Sequence, residues 1–148
     1  METSYRPINI LVAEDDDDDY LLALRALKEA QLLNEVRRVC DGEELMRYLR
    51  HDGEYDGDGA SPRPTIILLD LNMPRKDGRE VLVEIRADPD LRRIPVVVLT
   101  TSKSEEDVLR SYDLGVNSFI RKPLTLEQLI EVIRVFKHYW LEIVELPE

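Results

Sequence analysis

Thr65-Ile66-Ile67-Leu68-Leu69-Asp70-Leu71-Asn72-Met73-Pro74-Arg75-Lys76-Asp77-Gly78 is the stretch on which the fold turns. Its apolar, largely β-branched run ends on one carboxylate and then breaks at Pro74 and Asp77-Gly78. A short apolar run bounded by turn signals predicts a strand buried on both faces, as in a parallel sheet. Open α/β sheets bind ligands beyond the carboxyl ends of their strands, and that is where Asp70 falls. An isolated carboxylate after a strand is also an ordinary turn cap, so the rest of the chain has to decide.

Working outward, Ile8 to Ala13 reads as a first buried strand, followed at once by six acids, Glu14 to Asp19. Tyr20, Leu24 and Leu27, with Leu21 alongside, mark one face of a helix that Asp17 or Asp18 can cap. The later acids are explained by the cap and the helix dipole, whereas Glu14 and Asp15 leave the strand before the helix begins. Val36 to Cys40 predicts a second strand, with Cys40 as a small buried side chain. Gly42 to Arg50 predicts a helix turning Leu45, Met46 and Leu49 inward.

Residues 51–64, with three glycines and two prolines, predict a flexible surface insertion. Asp52, Glu54 and Asp56 resemble the opening of a calcium loop, but its twelfth position would be Arg63 in place of Glu, so that reading is rejected. Beyond Asp70, Arg79 to Ala87 predicts a helix with Val81, Leu82 and Ile85 inside. Ile94 to Thr100 is a fourth strand, Glu105 to Leu114 a helix, Ser118 to Arg121 a fifth strand, and a last helix runs from about Thr125 to about Glu142. Five alternations of strand and helix predict an α/β fold, a doubly wound parallel sheet with helices on both faces.

The totals narrow the function. The 148 residues, 43% hydrophobic, suit one domain large enough to bury a core, with no internal repeat and no second domain. No apolar run approaches a membrane span, and the amino terminus lacks a secretory segment. A lone Cys40 and no zinc spacing fit a reducing compartment, so the chain is expected in the cytoplasm, away from membranes. A net charge of −11 argues against nucleic acid as a partner.

In such a sheet the carboxyl ends of the strands share one edge, so Glu14, Asp15, Asp70, Thr100 and Lys122 converge there. Two carboxylates ~4 Å apart at an effective dielectric of ~20 repel by about 4 kcal/mol, and three carboxylates make three such pairs. Either one stays protonated or a hard divalent ion joins them, and oxygen ligands with open water positions suit Mg²⁺ better than zinc. Carboxylates, a cation, an ammonium and a hydroxyl are what phosphoryl transfer to Asp70 requires.

In these residues the chain resembles the receiver domains of bacterial two-component response regulators, related to the chemotaxis response regulator, across about Ile8 to Phe136. The match rests on Glu14-Asp15, Asp70-Leu-Asn-Met-Pro74, Leu99-Thr100-Thr101 and Lys122-Pro123. The resemblance implies a flavodoxin-like (β/α)5 fold with strand order 2-1-3-4-5, a receiver core over about 8–136, a helical extension over 137–148 and no output domain. It implies Asp70 as the phosphoacceptor from a sensor histidine kinase or phosphotransfer protein. Glu14, Asp15, Asp70 and the backbone carbonyl of Asn72 would bind Mg²⁺, Thr100 would move to the phosphoryl oxygen, and the Lys122-Pro123 peptide would be cis. Glu14 departs from the commoner Asp. Phe119 stands where many relatives carry Tyr, leaving ring rotation as a switch without the phenol hydroxyl.

The segments Arg75 to Val81, Asp88 to Pro95 and Leu99 to Ser102, with Tyr139-Trp140, look like single-domain regulators that partner phytochrome-type kinases. Haloacid-dehalogenase-type phosphatases also form an aspartyl phosphate, but they place a second Asp where this chain has Asn72, which argues against an enzyme acting on external substrates. A receiver-like scaffold that takes no phosphate is the remaining alternative. In the last helix, Leu129, Ile130, Ile133, Phe136 or Lys137, and Trp140 form the inward stripe. Val132, Val135, Tyr139 and Ile143 form a second stripe, which predicts a homodimer through this helix.

Overall fold

The computed structural model describes residues 9–30, 35–57, 59–101, 103, 106, 107 and 116–138. Its strands are β1 (Asn9–Ala13), β2 (Glu35–Val39), β3 (Ile66–Asp70), β4 (Val96–Thr100) and β5 (Val116–Arg121). Its helices are α1 (Asp17–Glu29), α2 (Gly42–Arg50), α3 (Gly78–Ala87) and α4 (Leu126–His138). Lys103, Glu106 and Asp107 are helical, and the rest of the helix expected over 105–114 lies outside the described residues. All strand pairs are parallel and the order is β2-β1-β3-β4-β5. Among the described residues no helix is long and apolar enough to cross a membrane.

Alternation along each strand splits the core between the two sheet faces. Leu11, Leu69 and Val98 pack with Leu45 of α2 and Leu82 of α3. Ile10, Val12, Leu68 and Leu99 pack with Ala26 and Leu27 of α1 and Leu129 and Ile133 of α4. Every residue of β3 and β4 is buried, which is why both strands read as unbroken apolar runs.

Several expectations are corrected. The cap of α1 is Asp16, one residue before the candidates Asp17 and Asp18: its carboxylate accepts the Asp19 N–H at 3.0 Å. The turn starts early because the Glu14 carboxylate accepts the Asp16 N–H at 3.1 Å. The buried face of α1 is Ala23, Ala26 and Leu27, small residues that let the helix approach the sheet, while Leu21 is 59% exposed. β2 stops at Val39, so Cys40 lies beyond the strand and is exposed. β5 starts at Val116, two residues early, because it pairs back to Val96 through an irregular register.

The described part of the 51–64 segment is tied down rather than loose. Ser61 is buried and its hydroxyl lies 2.6 Å from His51 Nδ1. Tyr48 Oη donates to the Pro62 carbonyl at 2.9 Å, Tyr55 Oη to Glu44 at 2.7 Å, and Arg63 pairs with Asp90 at 2.8 Å. Its glycines and prolines shape a docked loop, with Gly53 and Gly59 at φ of 58° and 77°.

In α4, Thr125 and Gln128 cap the amino end reciprocally, and Leu129 and Ile133 face the core. Lys137 donates to the Ala30 carbonyl at 3.1 Å, closing the carboxyl end of α1. Val132, assigned above to the outward stripe, packs against the core, whereas Val135 is 64% exposed. Tyr139, Trp140 and Ile143 lie outside the described residues.

The start of α2 presses on the loop after β3. A Cβ on Gly42 would lie 1.8 Å from the Lys76 carbonyl oxygen. Gly42→Ala should therefore cost about 2 kcal/mol or more, read as a lower urea midpoint. Gly57→Ala, whose nearest contact would be 4.0 Å away, should leave the midpoint nearly unchanged.

Candidate functional site

Asp70 ends β3, Glu14 and Asp15 follow β1, Thr100 ends β4 and Lys122 follows β5. Because the sheet is parallel, these positions meet on one edge, with Asp70, Glu14 and Thr100 each about fully buried and Asp15 exposed. Ligand oxygens of Glu14, Asp15 and Asp70 all lie within 4.8 Å of one another, a set that suits a divalent cation.

Each side chain is held by its own stretch of backbone. Asp70 Oδ1 accepts the Asn72 N–H at 3.1 Å, and the Leu71 N–H donates to the Leu99 carbonyl at 3.0 Å. The loop then folds back so that Gly78 N–H reaches the Leu71 carbonyl at 3.1 Å. A Cβ on Gly78 would sit 2.7 Å from Leu71 Cα and 2.9 Å from the Asp70 carbonyl, so this return requires glycine. Asn72 Nδ2 donates to Thr101 Oγ1 at 3.2 Å, which ties the loop after β3 to the end of β4.

Glu14 is tied to β2 at both ends of its backbone: its N–H donates to the Val39 carbonyl at 3.0 Å and its carbonyl accepts Arg38 Nε at 2.9 Å. Lys122 N–H donates to the Thr100 carbonyl at 2.7 Å, and the Lys122-Pro123 peptide is cis. The Lys122 ammonium lies 2.8 Å from Asp19, 3.1 Å from Glu14 and 3.5 Å from Asp70. Phe119 is half-buried against the core face that holds α2 and α3.

Asp19 was missed. Its shortest approach to Lys122 was hidden because the acid run already had a sufficient local explanation in helix capping. The available signal was its place one turn into α1, three residues after the cap, above the strand edge that Lys122 shares.

Electrostatics follow from this crowding. Burial, a hydrogen bond with Asp70 and the Asp70 charge push Glu14 up to about 8, against the Asp16 N–H and Lys122, which pull it down. Burial raises Asp15 as well, opposed by a backbone hydrogen bond and reinforced by Asp70. Burial works to lower Lys122, yet the Asp19 hydrogen bond and the Asp70 and Glu14 charges hold it above the ordinary lysine value.

Without metal, folded Glu14 keeps its proton to about pH 8, while the unfolded chain releases it near 4.5. Unfolding in that window releases a proton, so stability should fall as pH rises from about 4.5 to about 8, by on the order of a few kcal/mol. Urea midpoints in a chelator across that range should show the slope, and Glu14→Gln should flatten it.

Residues 10–134 match the response regulator receiver domain family. The chain is 47% identical to response regulator Rcp1 of Synechocystis over 146 residues, 99% of this chain and 97% of that protein. The structure of the phosphorylated cyanobacterial phytochrome response regulator RcpA superposes with a TM-score of 0.79 at 47% identity, covering 97% of this chain and 100% of that one. The Mn²⁺-bound form of Rcp1 gives a TM-score of 0.78 at 47% identity, over 96% of this chain and all of that one. With the five-stranded order and the acidic edge described above, the chain belongs to the response regulator receiver domains of two-component systems, close to those of phytochrome signalling.

Proposed function

We propose that Asp70 accepts a phosphoryl group from a phosphohistidine on a sensor histidine kinase or phosphotransfer protein, in a Mg²⁺-dependent reaction that switches protein contacts. The observation that carries this is the buried Asp70 carboxylate, with two further carboxylates within 4.8 Å and an ammonium at 3.5 Å. Glu14, Asp15, Asp70 and the Asn72 carbonyl would hold the cation, with Asp15 and Asp70 as direct carboxylate ligands. When bound, the cation supplies neutralising charge to the carboxylates and to the incoming phosphoryl oxygens.

Asp70 acts as the nucleophile: its carboxylate oxygen forms the bond to phosphorus as the phosphorus–nitrogen bond of phosphohistidine breaks. The imidazole nitrogen leaves with that electron pair and takes up a proton. Lys122 meets charge on the transferred group by giving up part of its contact with Asp19 and Glu14. The Thr100 hydroxyl turns to the phosphoryl oxygen, and the half-buried Phe119 ring follows it inward, changing the outer surface of β5 and α4.

The chain assists its own phosphorylation and dephosphorylation and carries no turnover of outside substrates, since Asn72 offers no general acid. The phytochrome regulators among its relatives favour a phytochrome-type kinase as partner, and such a partner implies work in the cytoplasm. The exposed Val135 favours a homodimer through α4.

Incubation with acetyl phosphate and Mg²⁺ should add one phosphoryl group by intact mass, base-labile, not formed when chelator is present from the start, and absent in Asp70→Asn. An adduct that persists in Asp70→Asn would overturn the assignment, and no adduct at all would leave a protein-binding scaffold. Sedimentation should show a dimer that Val135→Glu, at a position already exposed, converts to monomer. A wild-type monomer at high concentration, with and without beryllofluoride, would contradict the dimer.

A further inference from the structure

We infer that Arg38, a residue outside the phosphoryl site, is a positioning residue for the metal-binding acid pair Glu14-Asp15. The inference rests on the divalent-metal reading of that pair. Arg38 lies near the end of the edge strand β2, and its side chain is only 21% exposed. Its guanidinium is engaged on three sides. Nε donates to the Glu14 carbonyl at 2.9 Å, Nη1 pairs with Asp17 Oδ1 at 2.8 Å, and Cζ stands 4.5 Å from the centre of the Tyr20 ring.

The first of these contacts matters most. The Glu14 carbonyl belongs to the peptide that joins Glu14 to Asp15, so a donor fixed against it sets the plane of that peptide. That plane in turn sets the direction in which the exposed Asp15 side chain leaves the loop. The other two contacts fix the donor itself, because Asp17 and Tyr20 both belong to the first turn of α1. One planar group thereby locks the end of β1, the end of β2 and the start of α1 together. A lysine has the charge but lacks the planar fork, and it cannot bond the carbonyl, pair with Asp17 and stack on Tyr20 in one fixed geometry.

A bystander cation would act in the opposite direction. Positive charge near a metal site weakens cation binding, so if Arg38 only contributed charge, its removal would tighten binding. If it positions the acid pair, removal loosens binding despite the electrostatic gain. Groups that orient metal ligands from outside are commonly worth about ten-fold or more in affinity.

The test is Mn²⁺ titration of the full chain, with free Mn²⁺ followed by electron paramagnetic resonance, alongside the melting temperature without metal. Arg38→Gln and Arg38→Lys should both weaken Mn²⁺ binding, by about ten-fold in the glutamine variant. A purely structural role would lower the melting temperature and leave the dissociation constant of the folded fraction unchanged, which would overturn the inference. Equal or tighter binding in Arg38→Gln would overturn it too, as would wild-type affinity in Arg38→Lys, the variant that decides if the glutamine form does not fold. Wild-type protein without saturable Mn²⁺ binding would sink the metal reading itself and this inference with it, whereas wild-type binding with unaffected variants would remove the inference alone.

Discussion

Everything at the functional edge depends on the crowding of carboxylates where β1 and β3 end. Glu14 and Asp70 are buried, and with Asp15 they bring carboxylate oxygens within 4.8 Å of one another. At an effective dielectric of ~20, each close pair of charges costs about 4 kcal/mol, comparable to a large part of a small domain's net stability. The fold bears this because Lys122 bridges Glu14, Asp19 and Asp70, and because Glu14 can keep its proton when no cation is present. A charge arrangement of that kind responds to ions and anions: whatever brings positive charge, or takes the ammonium away, redistributes the whole cluster.

The surrounding packing ties this cluster to the helices around it. Gly78 lets the loop after Asp70 return against Leu71, and Gly42 lets the start of α2 sit on Lys76 of the same loop. On the other face, α1 carries Asp19 and the acid turn, and its far end is closed by Lys137 of α4. Lys122 hangs from the Thr100 carbonyl at the end of β4. Asp70, the Lys122 ammonium and the helices that bound the site are therefore joined both by close backbone packing and by the two lysine side chains.

Much of this was legible in the sequence because burial on two faces leaves an unmistakable apolar run, and because a parallel sheet converts strand order into spatial convergence. β3, α2 and α3 are legible nearly to the residue, β4 begins two residues later than its apolar run suggests, and the strand ends identify the edge. What escaped was long-range or depended on one hydrogen bond. Asp16 captured the α1 cap from Asp17 and Asp18 because Glu14 bends the chain first. Asp19 and Arg38 have partners 103 and 24 positions away or more loosely local explanations of their own, so no pattern within a short window reveals them. The 51–64 segment has the composition of a loose loop, yet Ser61, Pro62 and Arg63 are docked by His51, Tyr48 and Asp90. Val132 misled because α4 meets both the sheet and α1, which widens its buried face beyond one stripe.

If Asp70 takes the phosphoryl group as proposed, Lys122 has to leave its resting carboxylate partners to meet it. A crystal structure of the chain with beryllofluoride and Mg²⁺ tests both halves at once. The beryllium should sit on an Asp70 carboxylate oxygen, Mg²⁺ should be held by Asp15, Asp70 and the Asn72 carbonyl, and the Lys122 ammonium should have moved from Asp19 to a fluoride. Beryllofluoride bound at another residue, or bound at Asp70 with Lys122 still seated on Asp19 and Glu14, would contradict the proposal.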